Sequence, residues 1–72
     1  MRMEAALTYG YRLYRGAEFC RLETGMHCEQ WAIDDAYDHV SSGNYTRAEV
    51  TCNGAVIGNI NNKLEYTRNG NN

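Results

Sequence analysis

The sequence predicts a small α+β fold, in which an antiparallel sheet of four to five strands carries one helix packed on one face. Apolar residues alternate at every second position from Tyr9 to Leu22 and again from Ala48 to Ile57, whereas from Gln30 to Val40 they recur every three to four residues. Period two is that of a strand with one buried face, and period 3.6 is that of a helix with one buried stripe. The element order is therefore ββαββ, or ββαβββ if the C-terminal segment adds a strand.

The first hairpin is predicted from its turn. The first strand should run from Met3 to Arg15, and Gly16-Ala17 suits a type II′ turn, which takes glycine at its first central position. The register that follows gives four residue pairs: Leu13 with Cys20 and Tyr11 with Leu22 on the core face, Tyr14 with Phe19 and Arg12 with Arg21 on the other.

The helix should begin near His27 or Cys28. Its buried stripe on a helical wheel is predicted to consist of Ala32, Ile33, Ala36, Tyr37 and Val40. The stop is Ser41-Ser42-Gly43, because Gly43 suits the left-handed position that follows a helix C-terminus.

The second hairpin contains Asn53-Gly54, the preferred pair for a type I′ turn. We expect Ala48, Val50 and Cys52 to face Ala55 and Ile57 across it. Past Gly58 the alternation weakens, and Asn61-Asn62 could turn the chain into a short fifth strand over Lys63 to Thr67. Residues 1–68 would then form one compact domain, and residues 69–72 a disordered polar tail.

Composition argues against several function classes. The chain has 72 residues, a formal charge of −2 and three cysteines, Cys20, Cys28 and Cys52, without a disulfide framework. No apolar run approaches the ~18 residues of a membrane span and no signal peptide is visible, so we expect a cytoplasmic protein with reduced cysteines. The adjacent pair His27-Cys28 lacks zinc-site spacing, and no nucleophile, phosphate loop or calcium loop is evident. We therefore expect no metal, no cofactor and no catalysis.

One candidate binding surface lies on the far side of the predicted helix. Trp31, Asp34, Asp35 and Asp38 fall together there, because positions i, i+3, i+4 and i+7 are helical neighbours. An indole beside carboxylates would suit a basic partner surface. Alternatively, Trp31 folds under the helix end against Met26 or the sheet rim, and the aspartates are merely solvated.

The second candidate surface is the sheet face that one helix leaves uncovered. It is predicted to carry Arg12, Tyr14, Phe19, Arg21, Arg47 and Val56. Arginine beside aromatic residues is typical both of platforms on which unstacked bases lie and of protein interfaces. A second copy of the chain could also cover this face, which would help so short a chain to fold.

The layout resembles short proteins encoded by bacteriophages and mobile elements, among them anti-CRISPR inhibitors. Three segments carry the resemblance, namely residues 11–19 (YRLYRGAEF), residues 29–33 (EQWAI) and residues 47–58 (RAEVTCNGAVIG). The resemblance implies a stoichiometric inhibitor that occupies a surface of a bacterial nucleoprotein defence complex of the Cas type, inside the bacterial host cell. A single-strand nucleic-acid module and a structural or regulatory homodimer are the alternatives.

Overall fold

The structure is a computed structural model that describes residues 7–69. It contains one helix and a five-stranded antiparallel sheet, which confirms the predicted fold class. The strand order, which the sequence left open, is β2-β1-β3-β4-β5. The elements are β1 Tyr9–Arg15, β2 Glu18–Met26, α1 Glu29–Ser41, β3 Arg47–Cys52, β4 Ala55–Ile60 and β5 Tyr66–Arg68. The two hairpins are adjacent through β1 and β3, and β2 and β5 form the two edges.

The core lies between α1 and the centre of the sheet. The buried side chains on the helix are small, and those on the strands are larger: Ala32, Ala36 and Val40 on α1, and Tyr11, Leu13, Ala48, Val50 and Ile60 on the sheet. The predicted helical stripe is wider than the buried one, since Ile33 is half-buried and Tyr37 is 40% exposed. A single helix on a twisted sheet contacts the sheet through only a narrow stripe of its surface, and Tyr37 lies outside that stripe.

Both ends of the helix lie close to the predicted positions. Cys28 is the N-cap residue, has extended backbone and makes no side-chain hydrogen bond to the first turn, and α1 begins at Glu29, one or two residues after the predicted start. At the C-terminus, the N–H of Gly43 donates to the carbonyl of Val40, and Gly43 has φ of 88°. The predicted glycine stop is therefore confirmed.

The first hairpin has the predicted turn, but its register changes after two residue pairs. Gly16 has φ of 60°, and Tyr14 lies opposite Phe19 as expected. A bulge at Cys20 then places Arg21 opposite Leu13 and shifts the pairs from Leu13 to Tyr11 by one residue. The predicted pairs Leu13 with Cys20, Tyr11 with Leu22 and Arg12 with Arg21 are therefore wrong.

The bulge exchanges the faces of two side chains. Arg21 was expected on the uncovered face, but because it pairs with Leu13 it points to the helix side, where its guanidinium lies beside Glu23 and Tyr45. Leu22 pairs with Arg12 instead and is 55% exposed on the uncovered face.

A second irregularity lies near the end of β2. Tyr11 pairs with Glu23 and Tyr9 with Met26, so two residues of β2, Thr24 and Gly25, oppose the single residue Gly10. A Cβ atom on Gly10 would overlap the carbonyl oxygen of Glu23, and Gly25 has φ of 92°. Glycine at both positions lets the two backbones approach and the edge strand bend.

The second hairpin has the predicted type I′ turn. Asn53 has φ of 51° and Gly54 has φ of 87°, and Cys52 lies opposite Ala55. A bulge at Ile57 then places Val50 opposite Gly58 rather than Ile57.

The fifth strand is present but shorter and later than predicted, at Tyr66–Arg68 instead of Lys63 to Thr67. Leu64, in a left-handed conformation with φ of 64°, packs against the core before the strand begins. The ring of Tyr66 lies over Gly58, where a Cβ atom would meet it. Asn69, the first residue of the expected tail, donates its N–H to the carbonyl of Ile57. Residues 70–72 and the predicted strand start at residues 3–6 lie outside the described part.

Candidate functional site

The strongest candidate site lies on the side of α1 that faces the β2 edge. We call it the Trp31 flank and define it as Trp31, Asp34, Asp35 and Asp38. These four side chains and Met26, the last residue of β2, line a shallow concavity of about 290 Å³. The helix thus brings together all four residues that the heptad spacing grouped.

Trp31 is held on the surface. Its side chain is 60% exposed, the largest exposure among the large apolar side chains of residues 7–69. The alternative in which the indole folds beneath the helix is therefore wrong, although Trp31 and Met26 do border the same concavity. An indole with this exposure beside a concave surface is a common anchor in protein interfaces.

Asp35 lies on the part of the Trp31 flank that is nearest the sheet. The hydroxyl of Tyr11 donates to its carboxylate at 2.6 Å, from a ring that is buried beneath α1. Burial, and after it this hydrogen bond, raise the pKa of Tyr11. Asp35 therefore links α1 to β1 through this hydrogen bond. The rest of the flank extends from Asp35 to the solvent side of the helix.

The remaining carboxylates lie farther out. Gln30 donates a hydrogen bond to Asp34 at 2.9 Å, one helical turn away, and Asp38 follows one turn after Asp34. The whole of α1 carries four carboxylates and no lysine or arginine. The flank can therefore offer a cation both carboxylate oxygens and the face of an indole.

The uncovered sheet face carries a second cluster, which we call the open face and define as Arg12, Tyr14, Phe19, Leu22, Arg47 and Glu49. The guanidinium of Arg47 lies 3.8 Å from the ring centroid of Tyr14, and the ring of Phe19 meets Tyr14 edge-on at 5.7 Å. Phe19 itself is 53% exposed. Of the residues predicted for this surface, Arg12, Tyr14, Phe19, Arg47 and Val56 lie on it, and Arg21 does not.

Glu49 is the member of the open face that sequence reasoning missed. Its carboxylate accepts a hydrogen bond from the hydroxyl of Tyr14 at 2.7 Å, and this bond, followed by burial, raises the pKa of Tyr14. The same carboxylate lies 3.5 Å from Arg12 and 3.8 Å from Arg47. Its alternation with Arg47 along β3 places it on this face.

These contacts occupy groups that a nucleic-acid platform would offer to its ligand. Arg47 covers one side of the Tyr14 ring, so that side is closed to a base. Glu49 offsets one of the two positive charges that would meet phosphates. Phe19 and Leu22 remain as exposed apolar side chains.

Other chemistry is sparse in residues 7–69. Cys20, Cys28 and Cys52 are free and half-buried, and no three His, Cys, Asp or Glu side chains of this region group as metal ligands would. Nor does the same region contain a helix long and apolar enough to cross a membrane, α1 having 13 residues.

Comparison with known proteins gives no relative from which a role could be carried over. No protein-family model matches the chain, and neither a curated protein nor a solved structure is significantly similar to it. The site has to be interpreted from its own geometry.

Proposed function

We propose that this chain is a non-catalytic protein-binding module whose Trp31 flank docks on a basic surface of a partner protein. The observation that carries the proposal is an indole 60% exposed beside three carboxylates on one concave surface. Tryptophan is enriched among the few residues that supply most of the binding free energy of an interface. Carboxylates around it favour a cationic partner and disfavour an acidic one.

The scaffold suits this role because it holds the flank in one position. Ala32, Ala36 and Val40 are buried against the sheet and fix the rotation of α1. The hydrogen bond from Tyr11 to Asp35 fixes the same helix from the side. A preorganised surface loses little conformational entropy on binding.

The partner that we propose is a bacterial nucleoprotein defence complex of the Cas type, so that the chain acts as a small phage-type inhibitor of the anti-CRISPR class. Nucleic-acid channels of such complexes are lined by cations that neutralise phosphates. The carboxylates of the Trp31 flank would compete with nucleic acid for those cations. The resemblance in length and layout to anti-CRISPR proteins supports this class of partner.

The test measures binding to purified Cas effector complexes by biolayer interferometry, with guide RNA loaded and target DNA as competitor. Trp31→Ala should weaken binding at least tenfold, because a central tryptophan is worth about 2 kcal/mol or more. Asp34→Asn combined with Asp38→Asn should weaken it and make it less sensitive to salt. Asp35 is left intact because it anchors Tyr11.

The matched control is Tyr37→Ala, which removes another exposed aromatic side chain from the same helix outside the Trp31 flank. It should bind like wild type. Binding that survives Trp31→Ala would exclude the flank as the contact. Failure of every Cas complex to bind would exclude the proposed partner class.

A further inference from the structure

The strand β2 is an open edge of the sheet. It is the longest strand, with nine residues, and only β1 pairs with it among residues 7–69. The backbone N–H and C=O groups of alternate β2 residues therefore point away from β1. None of its side chains is fully buried.

The other edge differs. β5 has three residues, too few to template a long pairing. β2 contains neither proline nor lysine, which often block edge pairing. Leu22, in the middle of this strand, is 55% exposed. The irregularities at Cys20 and at Thr24-Gly25 bracket a regular central triplet, Arg21-Leu22-Glu23. Any added strand would have to pair with this triplet.

The central triplet is complementary to itself in the antiparallel direction. When two copies are aligned with Leu22 opposite Leu22 of the second copy, Arg21 lies opposite the second copy's Glu23, and Glu23 opposite its Arg21. Within one chain, Arg21 and Glu23 lie 2.7 Å apart on the helix side, with side chains 48% and 36% exposed. Pairing would join them into four alternating charges, an arrangement that stabilises a cross-strand pair.

We propose that two copies of this chain associate through their β2 edges, antiparallel about a two-fold axis at Leu22, to form a continuous ten-stranded sheet. Each copy uses the only long free edge that residues 7–69 contain, so the association closes at two chains. The pair of Leu22 side chains meets on the open-face side of the sheet. Self-recognition by strand addition needs no change in the fold of either copy.

The second copy would also complete the concavity described above. The Trp31 flank faces the β2 edge, so in the dimer the two flanks would face each other across β2 and its partner. Helix α1 lies over β1 and β3. Strand spacings of about 4.8 Å then put the two helix axes roughly 19 Å apart and leave a gap of about 9 Å, wide enough for one extended peptide. The use of this gap for peptide binding rests on the proposed function, whereas the dimer itself does not.

The first experiment measures the mass of the chain by sedimentation equilibrium at about 0.5 mM, since an interface of one strand pair belongs to the weak end of the affinity range. Wild type should have twice the mass of the chain. Leu22→Lys should have the mass of one chain, because it places two ammonium groups at the axis. Thr67→Lys, at an exposed position on the other edge strand, should remain dimeric. A monomeric wild type overturns the proposal, and so does a dimeric Leu22→Lys.

The second experiment tests the register and separates edge pairing from stacking of two open faces. Arg21→Glu should abolish the dimer, because it opposes like charges at two positions. The double variant Arg21→Glu with Glu23→Arg should restore it. In a dimer stacked through the open faces, neither change would alter the mass, since both side chains lie on the helix side. That result would overturn the proposal. Circular dichroism of each variant checks that the fold is kept, and the Cas-binding test is read independently of the mass.

Discussion

The two strands of the first hairpin have opposite roles, although one turn joins them. β1 lies between β2 and β3 under the helix, and its Tyr11 and Leu13 are buried. β2 has one neighbouring strand and no fully buried side chain, and it exposes Phe19 and Leu22. The contrast teaches that stability is concentrated in the centre of the sheet. The β2 edge and the adjoining Trp31 flank are the exposed regions to which we assign the proposed contacts.

The largest expected effect is the difference between two leucines, one on each strand. Leu13→Ala should lower the free energy of unfolding by about 2–5 kcal/mol, because it opens a cavity beneath α1. Leu13 is 0% exposed. Leu22→Ala should change it by no more than roughly 0.5 kcal/mol, as for other surface positions. Urea unfolding at about 5 µM chain measures both losses. This concentration is well below the dissociation constant expected for a dimer held by one strand pair, so the chain is monomeric.

Equal losses in the two variants would contradict the contrast. They would mean that β2 is as firmly built into the core as β1. The slope of unfolding free energy against urea concentration should be alike in all three proteins, which checks that the unfolded states are comparable.

The next effect tests whether the shape of β2 is fixed. In Gly10→Ala, the added methyl group would overlap the backbone of Glu23 and Thr24, and only movement of the strand could relieve it. We expect a loss of about 1–3 kcal/mol, as for overpacked cores. In the matched variant Gly58→Ala, the methyl group meets the hydroxyl end of the Tyr66 side chain, which can rotate away. The loss should be smaller, by thermal or urea unfolding.

A Gly10→Ala variant as stable as wild type would change the interpretation of β2. It would mean that the β2 backbone moves easily, so that its bulges would not define one fixed edge for a second copy to pair with. Phe19 and Leu22 would then lack the fixed geometry that we assign to them.

The sequence predicts the centre of this fold well, because burial there enforces the pattern. Leu13, Ala48 and Val50 alternate in the sequence and are buried in the structure, and Asn53-Gly54 admits few turn types. The edge was predicted less well. Cys20 and Leu22 continue the apolar alternation of β1, but no burial holds them to it, and a one-residue bulge reverses it.

The candidate site divides in the same way. Helical spacing alone groups Trp31 with the three aspartates, because the contacts are local. The bond between Tyr11 and Asp35 joins residues 24 positions apart, and the ion pairs of Glu49 depend on the strand order. No local pattern encodes such contacts. They could be found only after the helix had been placed on the sheet.

The smallest expected effect concerns the bond that joins the two regions. Tyr11→Phe removes the hydrogen bond to Asp35 and keeps the buried ring, so it should cost about 1 kcal/mol at pH 8. Burial, and then Asp35, raise the pKa of Tyr11 above its ordinary value of 10.0. A raised folded-state pKa adds stability that is fully present below the unfolded-state pKa and is lost as pH rises above it. Wild type should therefore lose its advantage over Tyr11→Phe between about pH 10 and pH 11. Urea unfolding curves of the two proteins at pH 8 and pH 11 measure this, and a gap that stays constant with pH would show that the Tyr11 proton is not linked to folding.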